Sequence, residues 1–408
     1  MNKTAKCFCT LLLTGSLFLL CGCARTVAEG VSVNGVEVGG MSFAAAEVAV
    51  RRKIGETLPP LIVHSPAGDF IAEYPELSFT DDVPSLLRRA KKGQSLTAQA
   101  ERTFADAEEF AERVCSANAK EGTDAQMHFS ADGFEYIPET DGISCDYHKL
   151  LRDIASALGN GETEIGLSCT ARPPAVTEQT LRAQTEKIAR FSTRFDESNA
   201  PRTHNICLAV TRISGTVLHP GESFSFNETV GKRTEMNGFL EAVVIQDGQF
   251  VEGVGGGVCQ VSTTLFNAAL LSGMKIRESR AHSLRISYVA PSLDAMVSEE
   301  SDLKFVNPYP FPVYLLGEAE GGEVRFEIFG TDSGTSFATE SKTLYKLPPP
   351  PVKYVEGTEE KVIRAEQEGL VSESYLLSYD KEGNLLYRER IRRDSYAAIQ
   401  GIIQILPE

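Results

Sequence analysis

The stretch that decides the reading is VEGVGGGVCQVSTTLFNAALLSG, residues 251–273. Three consecutive glycines, Gly255, Gly256 and Gly257, run into Val258 and Cys259, and an apolar run follows. Val258, Val261, Leu265, Ala268, Ala269 and Ser272 recur at three- and four-residue intervals, which predicts one apolar helix face, and Gly273 supplies a stop. Cys259 then sits in the first turn of that helix. The partial positive charge of a helix N-terminus stabilises a thiolate, the nucleophilic form of cysteine. Glycines without side chains let a substrate carbonyl approach the backbone, and their N–H groups are candidates to face an oxyanion. Gln260 is either a further oxyanion donor or a helix cap. The competing reading makes Cys259 a small buried hydrophobe.

A nucleophilic thiol needs a base, and His282 follows in AHSLRISYVAP. His282, Leu284, Ile286 and Tyr288 alternate, which predicts one face of a strand. Asp294, shortly beyond, is placed to orient the imidazole or is a turn residue. Upstream, Arg202 and Asn205 occur in PRTHNICLAVTRISG, while Asn227 and Arg233 occur in HPGESFSFNETVGKRTEMNGF. These four are candidates to hold a substrate carboxylate or backbone, with solvated loop roles as the alternative. AVVIQDGQFVEGV predicts a hairpin turning at Asp247-Gly248 and delivering the chain to the glycines.

Chain-wide features narrow the function classes. The 408 residues suggest two or three domains. A formal charge of −16 leaves no basic stripe to displace counterions, so a nucleic-acid partner is not expected. The N-terminus, MNKTAKCFCTLLLTGSLFLLCGC, has lysines, an apolar core and small residues in the order of a secretory signal. Leu20-Cys21-Gly22-Cys23 resembles a lipoprotein signal box, which places a lipid on Cys23 and anchors the chain to the outer face of a bacterial membrane. Of the nine cysteines, Cys115, Cys145, Cys169, Cys207 and Cys259 remain beyond that segment. No CxxC pair, HExxH, Walker-type loop or GxSxG elbow is present, so neither a metal nor a cofactor is expected.

Organisation along the chain predicts an α+β, multidomain protein. Residues 1–22 read as the signal and 23–29 as the lipidated cysteine and a linker. Residues 30–174 read as a small α+β domain of alternating strands and helices, with Ser42 as a helix N-cap. Its helices are DAEEFAERVCSANAK and YHKLLRDIASALGNG, and AQMHFSADGFEYIPETDG reads as a strand pair. Pro173-Pro174 marks a boundary. A polar helix over TEQTLRAQTEKIARFSTRF opens the second domain, 175–335. The tail, 336–408, begins with a Pro-rich spacer and continues as strands flanking a turn at 381–384.

With these residues assembled, the second domain resembles the VanW family. The motifs that carry the resemblance are LHPGESFSFNETVGKRT, GVGGGVCQVSTTLFNAALLSG, the His-Ser pair of AHSLRISYV, and LDAMV at 293–297. One departure is RESRAHS, where Ser279 stands at a position at which relatives usually carry arginine, with Arg280 beside it. The segment before it resembles the peptidoglycan-binding domain that commonly precedes VanW domains, through VNGVEVGGMS, FEYIPETDGISCD and ARPPAVTEQTL; a structural arm is the alternative. The tail resembles the G-five extension. The resemblance maps the family cysteine to Cys259 and its histidine to His282. It implies L,D-transpeptidation of peptidoglycan stem peptides through a cysteine thioester. A carboxypeptidase or hydrolase would use the same residues, and a non-catalytic wall-binding resistance accessory would need neither.

Overall fold

A computed structural model describes residues 25–246 and 249–406. The signal segment, Cys23 and the 247–248 turn lie outside the described residues. Contacts divide the chain into two units, one of Met1–Gly122 with Asp141–Pro173, the other of Thr123–Thr140 with Pro174–Glu408. Among the described residues no helix is long and apolar enough to cross a membrane.

The first unit has two small cores. In one, helix Phe43–Thr57 starts at Ser42, whose Oγ accepts from the Ala45 N–H at 3.3 Å. It buries Ala46, Val50 and Ile54 against Val31, Val33, Val83 and Leu87. In the other, strands Leu61–Ser65 and Gly68–Ala72 pair antiparallel and Glu164–Gly166 adds in parallel. Helices Ala107–Asn118 and Tyr147–Asn160 contribute Phe110, Val114, Leu150 and Ile154 to that core. Strands Gly142–Cys145 and Cys169–Arg172 pair so that Cys145 lies directly across from Cys169.

The second unit is built on an antiparallel sheet ordered Glu186–Arg194, Glu323–Gly330, Val313–Glu320, Thr216–Leu218. Strand Glu323–Gly330 alternates strictly, sending Val324, Phe326 and Ile328 into the core. Helices Ala200–Ile213 and Val258–Leu271 share that core through Ile206, Val210, Val261 and Leu265. Full burial of a leucine or phenylalanine contributes about 2–3 kcal/mol, so Leu265 and Phe266 alone tie the cysteine helix firmly into this core. A second sheet joins Ser223–Ser225, Lys304–Val306 and Lys275–Glu278. In the tail, Ser336–Leu347, Gly369–Tyr379 and Leu385–Tyr396 form a three-stranded antiparallel sheet.

Four expectations need correcting. The polar stretch 177–195 is helical only over Glu178–Ala183; Glu186–Arg194 is a strand, because Ala189 and Thr193 face the core while the chain pairs with Glu323–Gly330. The hairpin Gln126–Ser130 with Gly133–Ile137 goes with the second unit, where Phe129 and Phe134 stand edge-on to Tyr314 at 5.1 and 5.2 Å. The cysteine helix is not one-faced: Val258 and every residue from Gln260 to Leu270 are buried. His282 is not on a strand. The strand ends at Glu278, and residues 279–303 run without ladder pairing. The alternation survives without the ladder, since His282 and Leu284 are buried while Ser283, Arg285 and Ser287 are exposed.

Candidate active site

Hairpin Glu241–Gln246/Gln249–Val254 leads directly into the three glycines. Gly255 and Gly257 adopt φ of +92° and +103°, a region costly for any residue with a Cβ. Gly256 has ordinary dihedral space, yet a Cβ there would lie 2.6 Å from the Val243 carbonyl oxygen. The glycines are therefore required by backbone conformation and close packing, whether or not a substrate approaches. The result is an uncapped helix start: Gly257 provides no side-chain cap, and the N–H groups of Gly256, Gly257 and Cys259 donate to no protein acceptor among the described residues.

Cys259 lines an open cleft of about 1690 Å³ together with His282, Arg202, Arg233, Tyr288 and Val297. Its Sγ donates to the Val297 carbonyl at 3.4 Å. Burial pushes the Cys259 thiol up, but the neighbouring His282 imidazole, by hydrogen bond and charge, and the Arg233 guanidinium bring it below its ordinary value. His282 is affected in the opposite sense. Burial opposes its charge, yet Asp294 and Cys259 raise it to about 9. The two shifts run in opposite senses, Cys259 down and His282 up, the directions that favour passing the thiol proton to the ring.

Asp294 is buried. Its Oδ2 accepts from both the Nδ1–H and the backbone N–H of His282, each at 2.7 Å. Its Oδ1 accepts from the Tyr396 hydroxyl at 2.6 Å and from Arg392 Nη2 at 3.1 Å. Burial disfavours the charged carboxylate, but the hydrogen bonds and charge of His282 and the Arg392 guanidinium hold Asp294 below the usual carboxylate range. The Nδ1 bond fixes the ring so that Nε2 is free for the thiol. Buried polar side chains of the cysteine helix pin the backbone on either side of Asp294. Asn267 Nδ2 donates to the Leu293 carbonyl at 2.7 Å, Ser262 Oγ donates to the Ala295 carbonyl at 2.5 Å, and Thr263 Oγ1 accepts from the Ala295 N–H at 3.0 Å. Ser262, Thr263 and Asn267 thus serve the facing segment while the Thr264 hydroxyl bonds the Gln260 carbonyl and Thr193, so these polar side chains find partners within a helix buried all round.

The remaining sequence candidates separate. Arg202 and Arg233 both line the cleft, and no salt bridge is found for either among the described residues. Their stems flank the glycine run, Arg233 against Gly255 and Arg202 against Gly257. Burial lowers both guanidinium values, the signature of cations short of a counter-charge. The expected substrate role of Asn205 is not supported: its amide donates to the carbonyls of Leu240 and Gly256 and accepts from the Leu240 N–H, so it anchors the glycine run. Asn227 donates to the carbonyls of Ser298 and Ser301 and accepts from Arg233 Nη1 at 2.7 Å, so it orients that arginine. Gln260 is no oxyanion donor, because its Nε2 is spent on Thr193 and Arg194 and its Oε1 accepts from Arg202 at 2.6 Å. Arg280 turns to Ser301, while Ser279 Oγ accepts from Arg392 Nη1 at 3.4 Å.

Three site residues escaped sequence reasoning. Arg392 and Tyr396 lie about a hundred positions from Asp294 and carry no local signal. Tyr288, noted only for its place in the alternation, lines the cleft; burial and the nearby Cys259 raise its phenol far above the ordinary value. Among the described residues no cluster of three or more His, Cys, Asp or Glu side chains is arranged for a metal.

Comparison with known proteins agrees with this layout. Residues 201–329, which contain Cys259, His282 and Asp294, match the family described as "VanW like protein". Residues 83–165 match the one described as "Putative peptidoglycan binding domain". The chain is 38% identical over 161 residues to "Uncharacterized protein YoaR" of Bacillus subtilis, covering 39% of this chain and 53% of that protein. It is 24% identical over 161 residues to "Vancomycin B-type resistance protein VanW" of Enterococcus faecalis, covering 38% and 56% respectively. The chain thus spans about half the length of the curated relatives it matches. A solved structure titled "IgA1 Protease G5 domain structure" aligns with 19% of this chain and 99% of its own, at 13% identity and a TM-score of 0.13, a level that carries no argument. Residues 201–329 therefore match a VanW-like domain, preceded by a match to a peptidoglycan-binding domain.

Proposed function

We propose that the protein is a cell-wall-associated, cysteine-dependent acyltransferase that cross-links peptidoglycan stem peptides as an L,D-transpeptidase. The observation that carries this reading is the Cys259–His282–Asp294 array at an uncapped helix start, inside a cleft flanked by two arginines without carboxylate partners. The match to a peptidoglycan-binding domain supports a wall location, and the name of the enterococcal relative supports a connection to glycopeptide resistance.

In the forward half-reaction the Cys259 thiolate attacks the carbonyl carbon of the third stem residue. The tetrahedral oxyanion faces the unpaired N–H groups of the glycine–cysteine turn. The carbon–nitrogen bond to the terminal D-alanine breaks as imidazolium His282 gives its proton to the leaving amine. Arg202 and Arg233 hold the departing residue's carboxylate. Once the thioester exists, the thiolate charge that helped raise His282 is gone, so the neutral ring becomes a competent base. The side-chain amine of a neighbouring stem's diamino acid then attacks the thioester, passes its proton to His282, and the thiolate leaves. Water in place of that amine gives a carboxypeptidase, which has the same residue requirements.

The test uses the chain from residue 24 onward with disaccharide-tetrapeptide muropeptides, comparing the native sequence with Cys259→Ala and His282→Ala by mass spectrometry. The proposal expects a dimer linked through third-position residues that neither variant makes. Tripeptide alone would convert the assignment to a carboxypeptidase. No product from any of the three would favour a binding accessory.

A further inference from the structure

Residues 279–297 carry both His282 and Asp294 yet make no strand ladder, so their buried backbone needs partners from elsewhere. The tail sheet provides them. The Ala397 N–H donates to the Ser283 carbonyl at 2.8 Å, and Ser341 Oγ donates to the Pro291 carbonyl at 2.6 Å. Ser292, held at a φ of +64°, gives its N–H to the Tyr396 hydroxyl oxygen at 2.6 Å, and its Oγ meets Ser372 Oγ at 2.7 Å. Arg392 then reaches three points of the segment: Ser279 Oγ, the Asp294 carbonyl and Asp294 Oδ1.

We infer that Arg392 and Tyr396, on tail strand Leu385–Tyr396, are positioning residues of the acyl-transfer site: they hold the Asp294 carboxylate in the orientation that fixes the His282 ring through Nδ1 beside Cys259. The inference rests on the acyl-transfer reading above. Its geometric basis is a division of labour on one buried carboxylate. Oδ2 is given wholly to His282, and Oδ1 wholly to the tail. The side chain of Asp294 is 1% exposed and Tyr396 is buried beside it, so Oδ1 takes its hydrogen bonds from these two side chains away from bulk solvent. A free Oδ1 would let the carboxylate rotate about its last torsion and loosen the Nδ1 bond. Loss of Arg392 would also remove the one cation, besides His282, that lowers the Asp294 carboxyl in its buried site. The charged and titratable groups facing Asp294 are His282, Arg392 and Tyr396 directly, with Cys259 and Tyr288 across the cleft wall and Asp394 behind Arg392 at 2.7 Å. Removing Arg392 leaves Asp394 as a second carboxylate near Asp294, which makes protonation easier still. The tail is thus part of the site, although no tail residue touches the reacting atoms.

The experiment follows alkylation of Cys259 by iodoacetamide across pH, read at the Cys259 peptide by mass spectrometry. It compares the native chain with Arg392→Met, Arg392→Lys and Tyr396→Phe, with thermal melts alongside. Arg392→Met is expected to slow alkylation at pH 7 about tenfold and to move the acid limb of the profile to higher pH. Arg392→Lys retains the charge and recovers the midpoint in part. Tyr396→Phe, which removes a single oxygen, slows alkylation about three- to tenfold and covers the case in which Arg392→Met does not fold. Variants that melt like the native chain and keep its alkylation profile would overturn the positioning role alone. A native Cys259 that reacts no faster than Cys207 would overturn the nucleophile reading, and this proposal with it.

Discussion

Replacing Asp294 by asparagine tests how much of the site's chemistry depends on one buried negative charge. The carboxylate accepts four hydrogen bonds within 3.1 Å, two from His282 on Oδ2 and two from Tyr396 and Arg392 on Oδ1. A carboxamide is nearly the same size but has one acceptor oxygen and one NH2. With the NH2 toward His282, Nδ1 must become the acceptor, which moves the ring proton to Nε2 and leaves the His282 backbone N–H facing a donor. With the NH2 toward the tail, it meets a guanidinium and a hydroxyl instead. Each orientation strands a buried donor, at a cost of roughly 1–3 kcal/mol, and both orientations lose the charge. The interval between an ordinary imidazole at 6.5 and His282 at about 9 corresponds to roughly 3 kcal/mol, shared between Asp294 and Cys259. If Asp294 provides about half, the thiolate fraction at pH 7 drops on the order of tenfold in Asp294→Asn. The assay is the pH profile of Cys259 alkylation, paired with denaturation at several pH values. Because His282 is raised on folding, the native chain has this stabilisation in full below about 6.5 and loses it as pH rises through about 9. In Asp294→Asn that loss shrinks and shifts to lower pH. A variant that alkylates at the native rate, with an unchanged midpoint, would refute the reasoning.

Other expectations follow from the same geometry. Arg202→Met and Arg233→Met should each raise KM for a donor stem by about tenfold with a smaller change in kcat, and a donor ending in an amide instead of a carboxylate should erase the difference; steady-state kinetics on both donors decides. Gly256→Ala places a Cβ 2.6 Å from the Val243 oxygen and should lower stability by roughly 1–3 kcal/mol in urea, so a native midpoint would count against the close-packing account. Cys145 and Cys169 face each other across an antiparallel pair, so protein secreted into an oxidising medium should carry that bridge in a non-reducing peptide map, whereas two free thiols would contradict it.

What could be read from the sequence was local. The glycine triplet, the helix start at Val258 and the hairpin before it are short-range signals, and each lies where spacing places it. The His282 segment shows the limit of periodicity. Burial alternates at 282–288 as in a strand, but alternation reports which side is wet and not whether a neighbour completes the ladder. Stretch 177–195 fails for a related reason, since its charged residues suit a helix until a sheet edge captures Glu186 to Arg194. Asn205, Asn227 and Gln260 mislead because an amide that grips substrate and one that grips backbone look identical in sequence. Only the hydrogen-bond count separates them. Arg392 and Tyr396 could not be found at all, because their partner is distant in the chain and only the folded tail brings them to it.

The central claim is that Cys259 is the acylated nucleophile. The most direct measurement is the intact mass of the chain after brief exposure to a tetrapeptide donor with no acceptor amine, quenched in acid and mapped by peptide. The account predicts an adduct equal to the donor minus its terminal alanine, located on Cys259, absent in Cys259→Ala and discharged when a diamino-acid acceptor is added. Donor turnover with no adduct on Cys259, or the same adduct in Cys259→Ala, would contradict it.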